Sequence, residues 1–169
     1  MTLEEQARQF ATKAHGDINQ RRKYTNEPYI NHPAEVVEIV RTVPHTEAML
    51  AAAWLHDVVE DTPITLGHIH SEFGEEVATL VDFLTDVSKP EDGNRKTRKA
   101  IDRDRIADAP PEAKTVKLAD LISNTRSIVA RDPSFAKVYL EEKRLLLEVL
   151  KEGDVSLWEQ AYELTLKAA

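Results

Sequence analysis

The chain has 169 residues and a formal net charge of −8, from 22 Lys and Arg against 30 Asp and Glu, and this length predicts one compact domain. Its composition, 41% hydrophobic and 31% charged, is typical of a globular protein and excludes a disordered chain. The acidic balance argues against duplex nucleic acid as a partner, and the absence of cysteine excludes disulfides and thiolate metal ligands.

The first part of the chain is predicted to form helices joined by a polar loop. Thr2 and Glu5 make a capping-box pattern, and the helix that they start is expected to end near Gly16. A polar loop follows over 17–31, and Pro33 suits the first turn of a second helix. No run alternates in hydrophobicity over enough residues to indicate a β-sheet.

The third predicted helix leads to the first residues with a chemical signature. Thr46 is expected to cap this helix, which continues through an apolar stretch to the dipeptide His56-Asp57. Residues 60–63 are predicted to break the helix, and a short helix is predicted over 65–72.

The remainder of the chain also has helical patterns. The predicted elements are an amphipathic stretch after Gly74, a loop over 89–94, a charged helix over 95–107, a helix after Pro110-Pro111, and amphipathic helices over 134–151 and 155–168. Together these patterns predict an all-α fold, a single-domain helical bundle over residues 1–169.

Two histidines and two carboxylates on separate predicted helices form a candidate metal site. On an ideal helix His56 and Asp57 point about 100° apart, but near a helix end both side chains can converge on one ion. His32 lies just before Pro33, and Asp120 interrupts an otherwise apolar run. Imidazole and carboxylate ligands together suit a divalent metal such as Mn, Fe or Zn.

Each of these residues also has a purely structural interpretation. Asp120 alone can be a hydrogen-bonded buried acid or a surface residue, and His32 can act as a helix cap. The other four histidines lie in polar surroundings and are predicted to face the solvent: His15, His45, His68 and His70.

The order of the candidate ligands resembles the H…HD…D signature of the HD phosphohydrolase superfamily. Over roughly residues 3–130, the wider pattern resembles the hydrolase domain of RelA/SpoT-type alarmone enzymes. The motifs that carry the resemblance are Arg22-Lys23, Pro28-Tyr29-Ile30-Asn31-His32-Pro33, residues 55–62 and Lys117-Leu118-Ala119-Asp120. Because the chain is too short to add the family's synthetase domain, it resembles a stand-alone small alarmone hydrolase, similar to the metazoan SpoT homologue.

The resemblance implies a ligand set, a catalytic pair and a reaction. The implied ligands of a Mn²⁺ ion, with Fe²⁺ or Zn²⁺ as alternatives, are His32, His56, Asp57 and Asp120. Glu60 and Asp61 match the catalytic acidic pair of the family. The positions that match its substrate-binding residues are Arg22, Lys23, Asn124 and Ser127. The implied reaction is hydrolysis of the 3′-diphosphate of ppGpp or pppGpp to pyrophosphate and GDP or GTP, with a metal-activated water as nucleophile.

Departures from the family pattern leave the base and the role of the basic loop open. The loop before His32 is one residue longer than in typical bacterial members, so Arg21 is an alternative to Arg22 for stacking on the base. Leu121 stands where a basic residue usually follows the metal-binding Asp. An adenosine alarmone such as ppApp, a NADPH phosphatase reaction, and an alarmone-binding module without catalysis are therefore the alternatives, although Glu60 and Asp61 argue against the last.

A small nucleotide is the expected partner, and neither duplex nucleic acid nor a membrane is expected. No apolar run approaches the roughly 20 residues that span a bilayer, and the first ten residues lack a signal pattern, so a cytoplasmic location is expected. The oligomeric state is left open. The C-terminal helices, which carry Trp158 and Tyr162, can cover the core or form a dimer face, and the core is the favoured interpretation.

Overall fold

The computed structural model describes residues 1–168, and its packing divides the chain into two compact units, Met1–Thr85 and Asp86–Ala169. Within the described residues the regular structure is helical, and the β pairing amounts to one isolated bridge between Arg21 and Pro28. The all-α prediction is therefore confirmed. That one domain extends over residues 1–169 stays a prediction.

The first unit contains six helices, three of which begin at threonine caps. The side-chain oxygen of Thr2 accepts a hydrogen bond from the backbone amide of Glu5, and Thr46 and Thr65 cap the third and fifth helices in the same way. The helices are α1 (Leu3–Asp17), α2 (Asn31–Arg41), α3 (Glu47–Leu55), α4 (Val58–Asp61), α5 (Leu66–Phe73) and α6 (Glu75–Leu84).

Helix α3 forms the core of the first unit. Every residue from Ala48 to Leu55 is buried, and this segment is apolar around its whole circumference, as is typical of a helix surrounded by protein. Helix α3 packs against α1, α2 and α6. This packing determines where His56, the residue after α3, is held.

The segment after Asp57 differs from the prediction. Residues 58–61 form the short helix α4, which includes the first two residues of the predicted break over 60–63, and the amide of Asp61 donates to the carbonyl of Asp57 at 3.0 Å. The break comes at Thr62, whose backbone is extended (φ −124°, ψ 169°), because a following proline disfavours the helical conformation. The acidic pair therefore lies within one helical turn of Asp57.

The described part of the second unit consists of one 3₁₀-helix and four α-helices. They are the 3₁₀-helix Pro90–Asp92, α7 (Arg95–Ala107), α8 (Pro111–Arg131), α9 (Pro133–Val149) and α10 (Val155–Ala168). Helix α8 packs against α9 and α10, and α7 packs against α9. The predicted charged helix over 95–107 is confirmed at both ends, whereas the predicted loop over 89–94 contains the 3₁₀-helix. Among the described helices, none combines the length and the apolar character needed to cross a membrane.

The two aromatic residues of α10 differ in their environment. Trp158 is half-buried and donates its Nε1–H to the carbonyl of Leu147 at 2.7 Å, which supports its interpretation as a core residue. Tyr162 stacks on Trp158, with ring centroids 5.2 Å apart, but stays 42% exposed.

Candidate metal centre

His32, His56 and Asp57 come together in the first unit. Each offers one ligand atom, and these atoms lie within 4.8 Å of one another. The Nε2 atom of His56 is 3.0 Å from Oδ2 of Asp57, and the Nε2 atom of His32 is 3.9 Å from the same oxygen. Two imidazoles and a carboxylate form a donor set that accepts first-row divalent ions, so the cluster could bind a divalent metal.

His56 and Asp57 converge because the helix is interrupted between them. His56 is the last residue with regular helical geometry after α3, at φ −59° and ψ −27°, whereas Asp57 has φ −105° and ψ 0° and precedes α4. In a regular helix, neighbouring side chains point about 100° apart. Because Asp57 leaves the regular helical geometry, this separation does not apply to His56 and Asp57. Neighbours in the sequence can therefore direct their side chains to one point.

A hydrogen bond to the backbone fixes the orientation of the His56 ring, with Nε2 towards Asp57. The Nδ1 atom lies 2.7 Å from the carbonyl oxygen of Ala53, and because a carbonyl oxygen only accepts, Nδ1 carries the proton. Metal-binding histidines in proteins ordinarily donate their second ring nitrogen in this way, which orients the ring. The residue is also only 3% exposed.

Asp57 is held by a residue from the loop before α2. The hydroxyl of Tyr29 donates to Oδ2 of Asp57 at 2.5 Å. The Tyr29 ring lies beside two imidazoles, with centroids 4.9 Å from the ring of His15 and 5.8 Å from the ring of His32. Tyr29 therefore orients the carboxylate while its own ring is packed in place.

Glu60 and Asp61 lie on α4, where both residues keep exposed surface. Oδ2 of Asp61 accepts a hydrogen bond from Nε2 of Gln20 at 3.1 Å. The pKa of Asp61 is raised above its usual value, first because the surrounding protein disfavours the charged form and second because Asp57 repels it. A raised pKa makes the ionised carboxylate a stronger proton acceptor, which suits it to act as a general base.

His15 is buried, so its prediction as a solvent-facing residue is wrong. It is 1% exposed, and its Nδ1 atom lies 2.7 Å from Oε1 of Gln20. Burial lowers the pKa of His15, which favours the neutral ring. The position of His15 in the sequence indicated its burial, because it continues the buried stripe of α1 made by Ala7, Ala11 and Ala14. The predictions for His45, His68 and His70 are confirmed, since all three are exposed.

The basic loop places its three cationic side chains in different environments. The Arg22 side chain is 11% exposed, and its Nη1 atom lies 3.4 Å from Oε2 of Glu35. Arg21 and Lys23, one residue to either side, are exposed, and the ammonium of Lys23 lies 5.3 Å from the ring centroid of Tyr24. Arg21 therefore presents more of its surface to solvent than Arg22 does.

Asp120 lies in the second unit, on α8, and is 7% exposed. Its Oδ2 atom accepts a hydrogen bond from Nζ of Lys117 at 3.2 Å, and its Oδ1 atom accepts one from Nδ2 of Asn124 at 3.1 Å. Asp120 and Asn124 therefore share one face of α8. Ser127 is half-buried on the same helix.

Lysine side chains gather beside Asp120 in the second unit. Burial, together with the positive charges of Lys117 and Lys99, lowers the pKa of Lys143 to about 7. The Lys143 ammonium also lies 4.8 Å from the ring centroid of Tyr139. These lysines add positive charge around the Asp120 carboxylate, which already accepts a hydrogen bond from Lys117.

Comparison with known proteins identifies the family to which the chain belongs. The model of the HD-domain family matches residues 7–145. Human guanosine-3′,5′-bis(diphosphate) 3′-pyrophosphohydrolase MESH1 is 38% identical over 134 residues, which are 73% of this chain and 68% of the human protein. A probable enzyme of the same name from Synechocystis is 35% identical over 148 residues, 86% of this chain and 19% of the relative. The chain spans less than one fifth of the length of this relative and of five others that are named GTP pyrophosphokinases.

A solved structure extends the likeness to nearly the whole chain. The structure of a metazoan orthologue of SpoT that hydrolyses ppGpp has a TM-score of 0.86 and 28% identity, and the match covers 99% of this chain and 96% of that one. A protein from Listeria monocytogenes has a TM-score of 0.69 and 26% identity over 85% of this chain and 99% of its own. The chain therefore belongs to the HD-domain family, in the group that includes human MESH1.

Proposed function

We propose that the chain is a metal-dependent hydrolase that removes the 3′-diphosphate of ppGpp or pppGpp as pyrophosphate, leaving GDP or GTP. The observation that carries the proposal is the convergence of His32, His56 and Asp57 within one helical turn of the acidic pair Glu60 and Asp61. The names of human MESH1 and of the metazoan SpoT orthologue describe this activity for those proteins.

The proposed metal ligands are His32, His56, Asp57 and, from the second unit, Asp120. Assigning Asp120 to the same centre is supported by the HD-domain match, which extends over both units. The mixture of imidazole and carboxylate donors suits Mn²⁺, with Fe²⁺ and Zn²⁺ as alternatives. When bound, such an ion supplies Lewis acidity, which polarises a phosphoryl oxygen and acidifies water.

The acidic pair would act on the attacking water. The Asp61 carboxylate, with its raised pKa, would take up the proton that the water loses. Glu60, the preceding residue of α4, is exposed and would help to orient the water. Attack at the phosphorus that carries the ribose 3′ oxygen would break the bond between these two atoms. The proton taken up by Asp61 would then pass to the departing oxygen, which gives pyrophosphate and the 3′ hydroxyl.

The proposed contacts to the substrate are made by Arg22, Lys23, Asn124 and Ser127. A nucleotide with two diphosphate groups carries enough negative charge to benefit from the lysines beside Asp120. For the base, the ion pair of Arg22 with Glu35 and the exposure of Arg21 favour Arg21 as the stacking guanidinium. Replacing each arginine by alanine and comparing KM for ppGpp separates the two assignments.

A substrate panel tests the proposal directly. The purified chain is incubated with Mn²⁺ or with EDTA and given ppGpp, ppApp or NADPH, and the released phosphates are identified. We expect pyrophosphate from ppGpp only when metal is present. If pyrophosphate were released from ppApp alone, the enzyme would be specific for an adenine alarmone. If orthophosphate were released from NADPH alone, the enzyme would be an NADPH phosphatase and the proposed reaction would be wrong. Binding of ppGpp without turnover would indicate a sensor.

The variant Asp61→Asn tests the role of the acidic pair. We expect kcat to fall by about 100-fold or more, because proton transfer by a positioned side chain contributes rate factors of this size. The bound metal, measured by elemental analysis, should not change. Asp104→Asn is the matched control, since Asp104 is an exposed residue of α7. Full activity of Asp61→Asn would contradict the assignment.

A further inference from the structure

We infer that Gln20 is a positioning residue that holds the Asp61 carboxylate, and that the buried His15 sets the orientation of Gln20. The inference rests on the proposed function, in which Asp61 takes up the proton of water. Two hydrogen bonds link the three side chains, from Nδ1 of His15 to Oε1 of Gln20 at 2.7 Å and from Nε2 of Gln20 to Oδ2 of Asp61 at 3.1 Å.

The direction of both hydrogen bonds follows from the chemistry of the groups. An ionised carboxylate only accepts, so the amide NH₂ of Gln20 must face Asp61. The amide oxygen of Gln20 then faces His15, and because that oxygen also only accepts, Nδ1 of His15 carries the proton. The chain of contacts thus requires one tautomer of one buried histidine.

The surroundings of His15 favour this tautomer. The Nε2 atom of His15 is buried and has no hydrogen-bond partner among the described residues. A proton on Nε2 would therefore be a buried donor without an acceptor, and the lone pair of Nδ1 would face the oxygen of Gln20. The ring itself is held by its packing on α1 and by contact with the ring of Tyr29.

Solvent exposure increases from His15 through Gln20 to Asp61. His15 is 1% exposed, Gln20 is half-buried and Asp61 is exposed. An exposed carboxylate on the four-residue helix α4 would otherwise sample several rotamers. The amide of Gln20, anchored at its other end in the interior, limits Asp61 to one orientation, which is the condition for efficient proton transfer.

Kinetic measurements on Gln20→Leu test the positioning role. We expect kcat for ppGpp to fall by about 10- to 100-fold, the size expected for a misplaced catalytic group, while KM and metal affinity stay unchanged. The matched control is Gln6→Leu, an exposed glutamine on α1. An unchanged kcat, or a fall in metal affinity equal to the fall in kcat, would overturn the inference.

Two variants of His15 separate its hydrogen bond from its packing. Asparagine places an amide N–H close to the position of Nδ1–H, so His15→Asn should retain most of the activity. Phenylalanine keeps an aromatic ring without the donor, so His15→Phe should lose as much of kcat as Gln20→Leu. Combining His15→Phe with Gln20→Leu should add little further loss, since both changes remove the same link. Independent losses would contradict the linked arrangement.

Nitrogen NMR of the histidine rings in the full chain gives a test that does not depend on activity. We expect the His15 ring, assigned through its absence in His15→Asn, to be neutral and protonated on Nδ1, and its signals to shift in Gln20→Leu. A wild-type His15 protonated on Nε2 would overturn the inference. If the wild type fails to hydrolyse ppGpp, the proposed function fails, and the tautomer of His15 still decides whether the hydrogen-bonded link exists.

Discussion

Individual candidate ligand residues of the first unit are oriented by partners that would not touch a metal. The ring of His56 is oriented by the carbonyl of Ala53, and the carboxylate of Asp57 is oriented by the hydroxyl of Tyr29. Outer partners of this kind typically change metal affinity or activity by about 10- to 100-fold when they are removed. At the scale of the residue, the candidate centre therefore extends beyond its ligands.

Tyr29→Phe removes one of these partners without removing the ring. We expect the affinity for Mn²⁺, measured by competition with a chelating dye, to fall by about 10-fold, because the Asp57 carboxylate loses its fixed orientation. Tyr162→Phe makes the same chemical change at an exposed residue of α10 and should leave the affinity unchanged. Equal affinities in the two variants would show that Tyr29 does not orient a ligand.

At the scale of the element, the packing of α8 depends on a glycine in the turn between α9 and α10. A Cβ atom on Gly153 would lie 2.8 Å from a methyl carbon of Leu118 and 3.1 Å from backbone atoms of Lys114 and Thr115. The backbone atoms cannot move aside without displacing α8, the helix that carries Asp120. Close approach of the chain at this turn therefore requires the absence of a side chain.

Gly153→Ala should lower the free energy of unfolding by roughly 1–3 kcal/mol, the usual cost of overpacking. Urea denaturation measures this change. Gly16→Ala is the matched control, because a Cβ atom there meets no atom within 4 Å and the residue lies inside α1. That variant should be more stable by about 0.5–1 kcal/mol, since alanine is the better helix former. A stabilised Gly153→Ala variant would contradict the close contact.

Helix α9 carries a lysine whose burial makes stability depend on pH. The pKa of Lys143 is lowered to about 7 from its ordinary value of 10.5, so between these values the unfolded chain holds the extra proton. The cost of burying the charge is complete below about pH 7 and disappears as the pH approaches 10.5.

Lys143→Met removes this cost. We expect the free energy of unfolding at pH 6 to rise by at least about 1 kcal/mol, and the difference from the wild type to shrink towards pH 10. Urea titrations at the two pH values measure both quantities. If the two proteins differed in free energy of unfolding by the same amount at both pH values, the difference would come from packing and not from the charge of Lys143.

At the scale of the whole molecule, a bound metal should stabilise the folded chain, because the ligands are not held together in the unfolded state. At a free concentration of 100 times the Kd, mass action contributes about 2.7 kcal/mol. For a chain of this length we expect Mn²⁺ to raise Tm by roughly 5–10 °C relative to EDTA, as measured by circular dichroism. The variant His56→Asn should lose this shift. A shift that persists would place the binding elsewhere on this acidic protein.

The sequence by itself determined the helical class and most helix positions, because these depend on interactions between near neighbours. Thr2, Thr46 and Thr65 cap helices by accepting hydrogen bonds from amides three residues later in the sequence. Interactions over so few residues can be recognised from the sequence alone. The helix break was predicted two residues too early, at residue 60 instead of Thr62, because a single helical turn has too few residues to show a period. The order of His32, His56 and Asp57 likewise indicated a metal centre before any coordinates.

Tertiary structure alone decided which side chains support that centre. Tyr29 meets Asp57 across 28 residues of sequence, and Gln20 meets Asp61 across 41. No local pattern specifies such pairs, since they depend on how α1, the following loop and α4 are held around the buried helix α3. The burial of His15 differs from these contacts, because its spacing continues the apolar stripe of α1 that packs against α3.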